Sequence, residues 1–367
     1  MKKFGLLCFC LTAILLAGCG KEKEDAQPDK GIDEAKIQIE TSQGEESGQE
    51  EESQEPQPEA GQVVSYLTGE YVPEAIGRRR PIAVMLNNAK EGCPQSGIAN
   101  AGVVYEAPTE GDITRLMGIF EDYDQLEKIG SMRSCRDYYI HYAQEFDSIY
   151  VHYGQAVYAL PYLEQDFIHN INGISSVGDQ VFYRTSDRKA PHNAYTSYQG
   201  IQTGIGLLGY DQNYGADYQG HYQFAVPGEE VTLTNPSPAQ TVKLDCYSVN
   251  HPWFEYDAAS GKYNRFQYGE AQIDELTGQQ LQYDNIILEY ASYQPYDENG
   301  YLNIDTTSGG QGKFITRGQA EDISWRKDSE WGVTRYYDGN GQEIQLNTGK
   351  TWVCIILNDK TSQITIA

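Results

Sequence analysis

Beyond about Gly220 the chain breaks into short runs in which apolar and polar residues alternate: "TVKLDCYSV", "WFEYD", "KYNRFQY", "NIILEY", "DISWRK", "VTRYYD" and "TWVCIIL". Between them stand the turn signals "ASGK", "LTGQ", "DENG" and "DGNG". A period of two places alternate side chains on opposite faces of a strand, and glycine after Asn or Asp supplies the positive φ that tight hairpins need. Helices cannot bury such a pattern. Residues 211–367 are therefore expected to form a β-rich, mostly antiparallel domain, with "HYQFAV", "EVTLTN" and "EIQLN" as further strands.

Upstream the pattern is mixed. "PIAVML", "GVVYEA" and "RLMGIF" are short apolar runs with strand character, and "SIYVHYG" is another. Tyr138, Tyr139, Tyr142, Ala143 and Phe146 recur at helical spacing. Ser134-Cys135-Arg136-Asp137 before them has the Ser-x-x-acid form of a capping box, so a helix is expected to open at Ser134. "SYQGIQTGIGLLGY" reads as a second helix weakened by glycine. The fold class expected is α+β: a layered ββα-type N-terminal domain over residues 61–210, followed by the β-rich domain.

The first residues give an address. Lys2 and Lys3 precede an apolar run too short to span a bilayer, and Leu16-Ala17-Gly18-Cys19 closes it. Residues 1–18 read as a lipoprotein signal peptide, with lipid attached to Cys19. Residues 19–60 read as an acidic tether: residues 21–60 hold fourteen Asp and Glu against four Lys and no aromatic residue. Such a composition buries too little apolar surface to offset its ordering entropy. The protein is thus expected at the extracytoplasmic face of the cell membrane, held there by lipid.

Across the whole sequence 27 Lys and Arg face 53 Asp and Glu, a formal charge of −26. That balance disfavours nucleic acid as a partner, because phosphate backbones are held by clustered cations. Loss of the signal and lipidation leave Cys93, Cys135, Cys246 and Cys354. Their wide spacing fits neither a disulfide-dense module nor a metal motif, and free thiols are expected.

Against this acidic background the arginines stand out. Arg133 and Arg136 flank the expected helix start, where unpaired N–H groups and the positive dipole end favour an anion. "FYRTSDRKAPHNAY" gathers Arg184, Arg188, Lys189, His192 and Asn193 in a polar loop. Arg133, Arg136, Arg184, Arg188, His192 and Asn193 are the candidate ligand-binding residues, with Glu110, Asp112 and Asp137 as acidic partners nearby. The alternative for those carboxylates is acid–base work or a divalent ion.

Other chemistry finds no foothold. "GGQGKF" lacks the Ser or Thr and the spacing of a phosphate loop, and neither Gly-x-Ser-x-Gly nor His-Glu-x-x-His occurs. No cofactor and no metal site are expected. The 29 tyrosines suit β structure, and a few lining a cleft could stack on sugar rings.

"RPIAVMLNN", "PQSGIANAGVVYEAPTEGDITRLMGIF", "EKIGSMRSCRDYY", "FYRTSDRKAPHNAYTS" and "GKTWVCIIL" together resemble the YerB-like lipoproteins, a largely uncharacterised family of Gram-positive bacteria. The resemblance runs from about Arg80 to the C-terminus. It implies two adjoining α+β domains, the second mostly β, and brings no established reaction. Met132 and Cys135 depart from the small or aliphatic residues more usual there. Taken together, the sequence points to a lipid-anchored protein that binds an anionic envelope ligand or a partner protein. An enzyme acting on phosphate-linked or glycan wall precursors is the alternative, and a structural envelope scaffold the third.

Overall fold

The computed structural model describes residues 57–367; the signal peptide, Cys19 and nearly all of the tether lie outside them. The elements used below are, in chain order, β1 (Ile82–Asn87), β2 (Val103–Pro108), β3 (Thr114–Phe120), β4 (Ile129–Gly130), α1 (Asp137–Gln144), β5 (Ile149–His152) and β6 (Asn170–Asn172). There follow β7 (Tyr183–Arg184), β8 (Ala194–Thr196), α2 (Tyr198–Leu208), β9 (Thr241–Leu244), β10 (Trp253–Asp257), β11 (Lys262–Gln267) and β12 (Asn285–Ala291). Last come β13 (Tyr293–Pro295), β14 (Leu302–Ile304), β15 (Gly310–Thr316), β16 (Gln319–Arg326) and β17 (Thr351–Leu357). Strands dominate and helices are few, in keeping with an α+β class.

One eleven-stranded sheet organises the molecule, and it takes strands from both halves of the chain. Its backbone order is β16-β15-β12-β17-β2-β3-β1-β5-β6. The strand "TWVCIIL" sits at the centre, parallel to β12 on one side and to β2 on the other. The hairpin pattern thus gives way to parallel pairing where the two halves meet. A strand between two such neighbours is covered on both faces and needs no polar side, which is why 351–357 reads as a near-continuous apolar run.

The sheet separates two cores. From β17, Trp352, Cys354 and Ile356 enter one, and Val353, Ile355 and Leu357 enter the other. In β1 the split is the same: Ile82, Val84 and Leu86 on one face, Ala83 and Met85 on the other. The first core takes Ile201 and Ile205 of α2 together with Val242, Phe254 and Tyr263 of the smaller sheet built on β9, β10 and β11. The second takes Tyr138, Tyr139, Tyr142 and Phe146 from α1 and its end. Helical spacing and strand alternation both predict these burials.

Three expected strands, "HYQFAV", "EVTLTN" and "EIQLN", do not form ladders. Phe224 makes only an isolated bridge to Leu346. Further on, side chains replace strand partners: Val231 N–H donates to Asn347 Oδ1 (2.9 Å) and Thr234 N–H to Glu321 Oε2 (2.9 Å). Once those donors are satisfied by carboxylate and amide oxygens, an adjacent strand is unnecessary. The second helix is found as expected, capped by Ser197, whose Oγ accepts from Gly200 N–H, and ended by Gly209 at φ 70°. Cys93, Cys135, Cys246 and Cys354 are free thiols.

Candidate functional site

The helix expected to open at Ser134 starts three residues later. Arg136 occupies its N-cap, extended at φ −124° and ψ 152°, with no side-chain cap. Ser134 Oγ donates instead to the Tyr153 carbonyl (3.2 Å). Backbone pairing explains the shift. Met132 bridges Leu86, Arg133 N–H donates to Met85 O (3.1 Å), and Cys135 N–H donates to Gly154 O (2.9 Å). With neighbours on both sides, residues 132–136 are held extended, and tertiary hydrogen bonds outweigh the local capping preference.

That displacement changes the role of Arg136. Its guanidinium grips the Glu110 carboxylate with two nitrogens, Nε lying 2.9 Å from Oε2 and Nη2 on Oε1. Nη1 donates to Cys135 O (2.8 Å), and the group lies 5.2 Å from the Tyr301 ring centre. Arg115 approaches the same carboxylate at 3.3 Å. Burial would raise the Glu110 carboxyl, but hydrogen bonds and charge from Arg136, then Arg115, bring it below its ordinary value. Such a bidentate, charge-assisted pair is a closed unit. Arg136 is thus engaged within the fold by Glu110 and the Cys135 carbonyl.

The loop 182–195 docks against the strand that leads to Arg133. Strand β8 lies between β4 and β7, with Tyr195 opposite Gly130 and Ala194 opposite Arg184, and Met132 N–H donates to Ala194 O (2.7 Å). Tyr153 joins the two segments: its N–H donates to Arg133 O (3.0 Å), and Arg184 lies 4.7 Å from its ring centre. The two arginine-bearing segments, 128–136 and 182–195, therefore share one edge of the molecule.

Four residues of that loop differ in what holds them. Arg188 is spent on the scaffold: Nη1 donates to Gly92 O (2.9 Å) and Tyr195 Oη (2.8 Å), and Nη2 donates to Pro94 O (3.0 Å). It pins the 92–94 segment. Asn193 braces the loop, its Nδ2 donating to Thr185 O (2.7 Å) while Oδ1 accepts from Arg184 (2.8 Å). Arg184 itself is exposed and, among the described residues, has no carboxylate within ion-pair distance. His192 Nδ1 sits 2.8 Å from Asn87 Nδ2. Because Asn87 Oδ1 accepts from Ala89 N–H (3.1 Å), Nδ2 is the atom facing the ring, and it can only donate. Nδ1 is thus the acceptor and the proton rests on Nε2. Burial, then the charge of Arg133, then that of Arg188 hold this imidazole below its ordinary pKa, against the pull of Glu91.

Arg133 is half-buried, its Nε has no hydrogen-bond partner, and no ion pair reaches it among the described residues. Desolvation, followed by the like charge of Arg136, depresses its pKa, with Glu110 opposing. A cation so placed is short of negative charge.

The three carboxylates do not converge. Glu110 is taken by Arg136. Asp137 accepts from Tyr296 Oη–H (2.5 Å), and burial raises its pKa. Asp112 sits in a turn at φ 59° and lines a separate cavity of about 280 Å³ with Thr109, Tyr247 and Lys360. Among the described residues no group of three His, Cys, Asp or Glu is placed to hold a metal ion.

Sequence reading missed the most deeply buried charges. Glu106 and Arg265, both without solvent exposure, pair at 2.5 Å. Arg265 lies between Phe254 and Trp352, 4.5 and 4.4 Å from their ring centres. Thr114 Oγ1 (2.8 Å), Asn250 (3.0 Å) and Asn88 (3.2 Å) complete the shell on Glu106 Oε1. The available signal was a lone acid inside the apolar run "GVVYEA". A second buried cluster has Glu145 ion-paired with Lys327 (2.8 Å) and facing His221 Nε2 (2.6 Å).

With this geometry in view, comparison with known proteins gives the class. Residues 67–211 match the N-terminal domain, and residues 242–353 the C-terminal domain, of a family described as protein of unknown function (DUF3048). The chain belongs to that family. A curated relative, "Putative lipoprotein YerB" of Bacillus subtilis (strain 168), is 30% identical over 361 residues, covering 97% of this chain and 96% of that protein. A crystal structure of the YerB protein from Bacillus subtilis matches with a TM-score of 0.72 at 30% identity, covering 83% of this chain and 99% of that one. The expected resemblance is thereby established, together with the lipoprotein name carried by a relative of nearly equal length. Among the described residues no helix is long and apolar enough to cross a membrane.

Proposed function

We propose that this chain is a lipid-anchored protein of the extracytoplasmic membrane face that binds an anionic envelope ligand, without catalysis, at the edge where β4, β7 and β8 meet. Arg133 and Arg184 supply charge, and His192 supplies a neutral Nε2–H donor. Arg136, Arg188 and Asn193 hold that edge in shape. The observation that carries the reading is Arg133: a half-buried guanidinium with no ion-pair partner among the described residues, in a chain of net charge −26. Buried cations are ordinarily paired, and this one sits beside a second unpaired arginine and an imidazole donor. Phosphate or carboxylate oxygens would satisfy all three.

The reading is tested by titrating the full chain with soluble poly(glycerol phosphate) and with inorganic phosphate. Each charge-assisted contact contributes about 1.5–3 kcal/mol, so R133A and R184A together are expected to weaken binding by more than about tenfold. Binding should also raise the His192 pKa, visible in its imidazole NMR shifts. Unchanged affinity in the double variant would refute the site.

A further inference from the structure

A second cavity lies beside α1. Its volume is about 560 Å³, between this helix and the β13–β14 hairpin, within the size range of ligand pockets. Its lining is rich in hydroxyls and amides, including Gln294, Asn303, Thr307 and Ser308, with Tyr162 contributing an aromatic wall. Gln294 and Asn303 are directly opposite in the hairpin register, so their side chains stand on one face. Both are exposed, and neither amide has a protein partner among the described residues.

His141 points into the same cavity from α1. The residue is only 8% exposed. Its Nδ1 is engaged with Thr306 Oγ1 at 2.7 Å, while Nε2 is buried without a hydrogen-bond partner, 3.9 Å from Glu330 Oε1. Leaving a buried ring nitrogen unsatisfied is costly, and a ligand hydroxyl would satisfy it. Burial, aided by Lys327, pushes the imidazole down to about 4, so it is neutral near pH 7 and suited to a neutral partner.

Around His141 stands an aromatic group: Trp331 at 4.8 Å and Tyr162 at 5.1 Å between ring centres, with the exposed Phe167 edge-on to Trp331 at 5.0 Å. Flat, half-exposed rings beside amides and hydroxyls match a molecule with apolar ring faces and a hydroxylated rim. The lining has no lysine or arginine among the described residues, and it carries the carboxylates of Asp305 and Glu330. Phosphate and carboxylate ligands are repelled. Asp305 is already committed to its own loop, with Oδ1 accepting from Thr307 N–H (2.9 Å) and Ser308 N–H (3.0 Å). A purely apolar partner would strand the amides.

From these features we infer that the cleft between α1 and the β13–β14 hairpin binds an uncharged saccharide, packed on Tyr162, which Trp331 backs at 6.0 Å between ring centres, and hydrogen-bonded by His141 Nε2, Gln294 and Asn303. This site is distinct from the cationic edge and does not depend on it. The test titrates the full chain in detergent with chitotetraose, cellotetraose and maltotetraose, following tryptophan fluorescence and the His141 imidazole resonances, with glucose 6-phosphate and a wall stem peptide as controls. At least one neutral oligosaccharide is expected to shift the His141 signals, and N303A, Q294A and W331A are each expected to weaken it severalfold or more. R133A should leave it unchanged. N303A and Q294A alter exposed side chains and keep the test valid if W331A folds poorly. No shift with any neutral sugar, binding unaffected by N303A and Q294A together, or preference for the stem peptide or sugar phosphate would overturn the assignment.

Discussion

Arg265 and Arg133 are the same residue type in opposite circumstances. The first is sealed between two aromatic rings with a carboxylate at 2.5 Å, and the second stands half-buried with its Nε unpartnered. Between these extremes Arg136 is nearly buried yet paired to the partly exposed Glu110. In this acidic protein a guanidinium becomes structural when a carboxylate or a set of backbone carbonyls from a distant segment is brought to it. It stays available when none is. The acids show a parallel contrast: Glu106 is held by arginine, whereas Glu289 is buried with, among the described residues, only the hydroxyls of Tyr142 (2.9 Å) and Tyr336 (2.8 Å) as donors.

The largest effect is expected in the sealed pair. Removing one partner leaves an uncompensated buried charge, so R265M should cost about 3–5 kcal/mol in denaturant unfolding. Adding E106Q should recover part of that loss. A cost below about 1 kcal/mol would erase the proposed distinction between sealed and open arginines.

Next comes Glu289, whose carboxyl burial, then the charge of Glu145, raises to about 7 from an ordinary 4.5. The folded state therefore keeps a proton that the unfolded state has released. Its stabilising contribution is complete below pH 4.5 and declines as pH rises to 7. E289Q retains hydrogen-bonding oxygen and loses that decline. The variant should gain on the natural protein between pH 5 and 8, by up to about 3 kcal/mol. Parallel stability curves would show that Glu289 is ionised in the fold.

R136A should cost about 1.5–3 kcal/mol, the range for hydrogen bonds to charged groups, and should raise the Glu110 pKa, measurable by carboxyl NMR. The smallest effect belongs to the open arginines. R133A and R184A should each change stability by no more than about 0.5 kcal/mol while weakening anion binding. A large loss of stability in R133A would move that residue into the structural group.

Much of the fold was legible because its signals are local. The run "PIAVML", the alternation in "KYNRFQY" and the helical spacing from Tyr138 to Phe146 each encode an element within a few residues. The capping box at Ser134 misled because its backbone donors were claimed by strands elsewhere. "EVTLTN" misled because side chains took the place of strand partners, and "HYQFAV" and "EIQLN" because they meet in an isolated bridge rather than a ladder. Of the cationic residues, Arg133, Arg184 and His192 do share one edge, while Arg136 and Arg188 serve the scaffold. His141 carried no sequence signal, since the hairpin that completes its cleft lies far along the chain.

By itself, then, the sequence determined the β-rich character, the position of the main helices and the strongly negative charge. These depend on periodicity and composition, which act over one element at a time. Which arginine is paired was decided only by tertiary structure. Glu110 and Arg136 are 26 residues apart, and Glu106 and Arg265 are 159 apart. Hydrogen bonds reach only about 3 Å and charges in water are screened within about 10 Å, so a charge's role is settled only when the fold sets its neighbours.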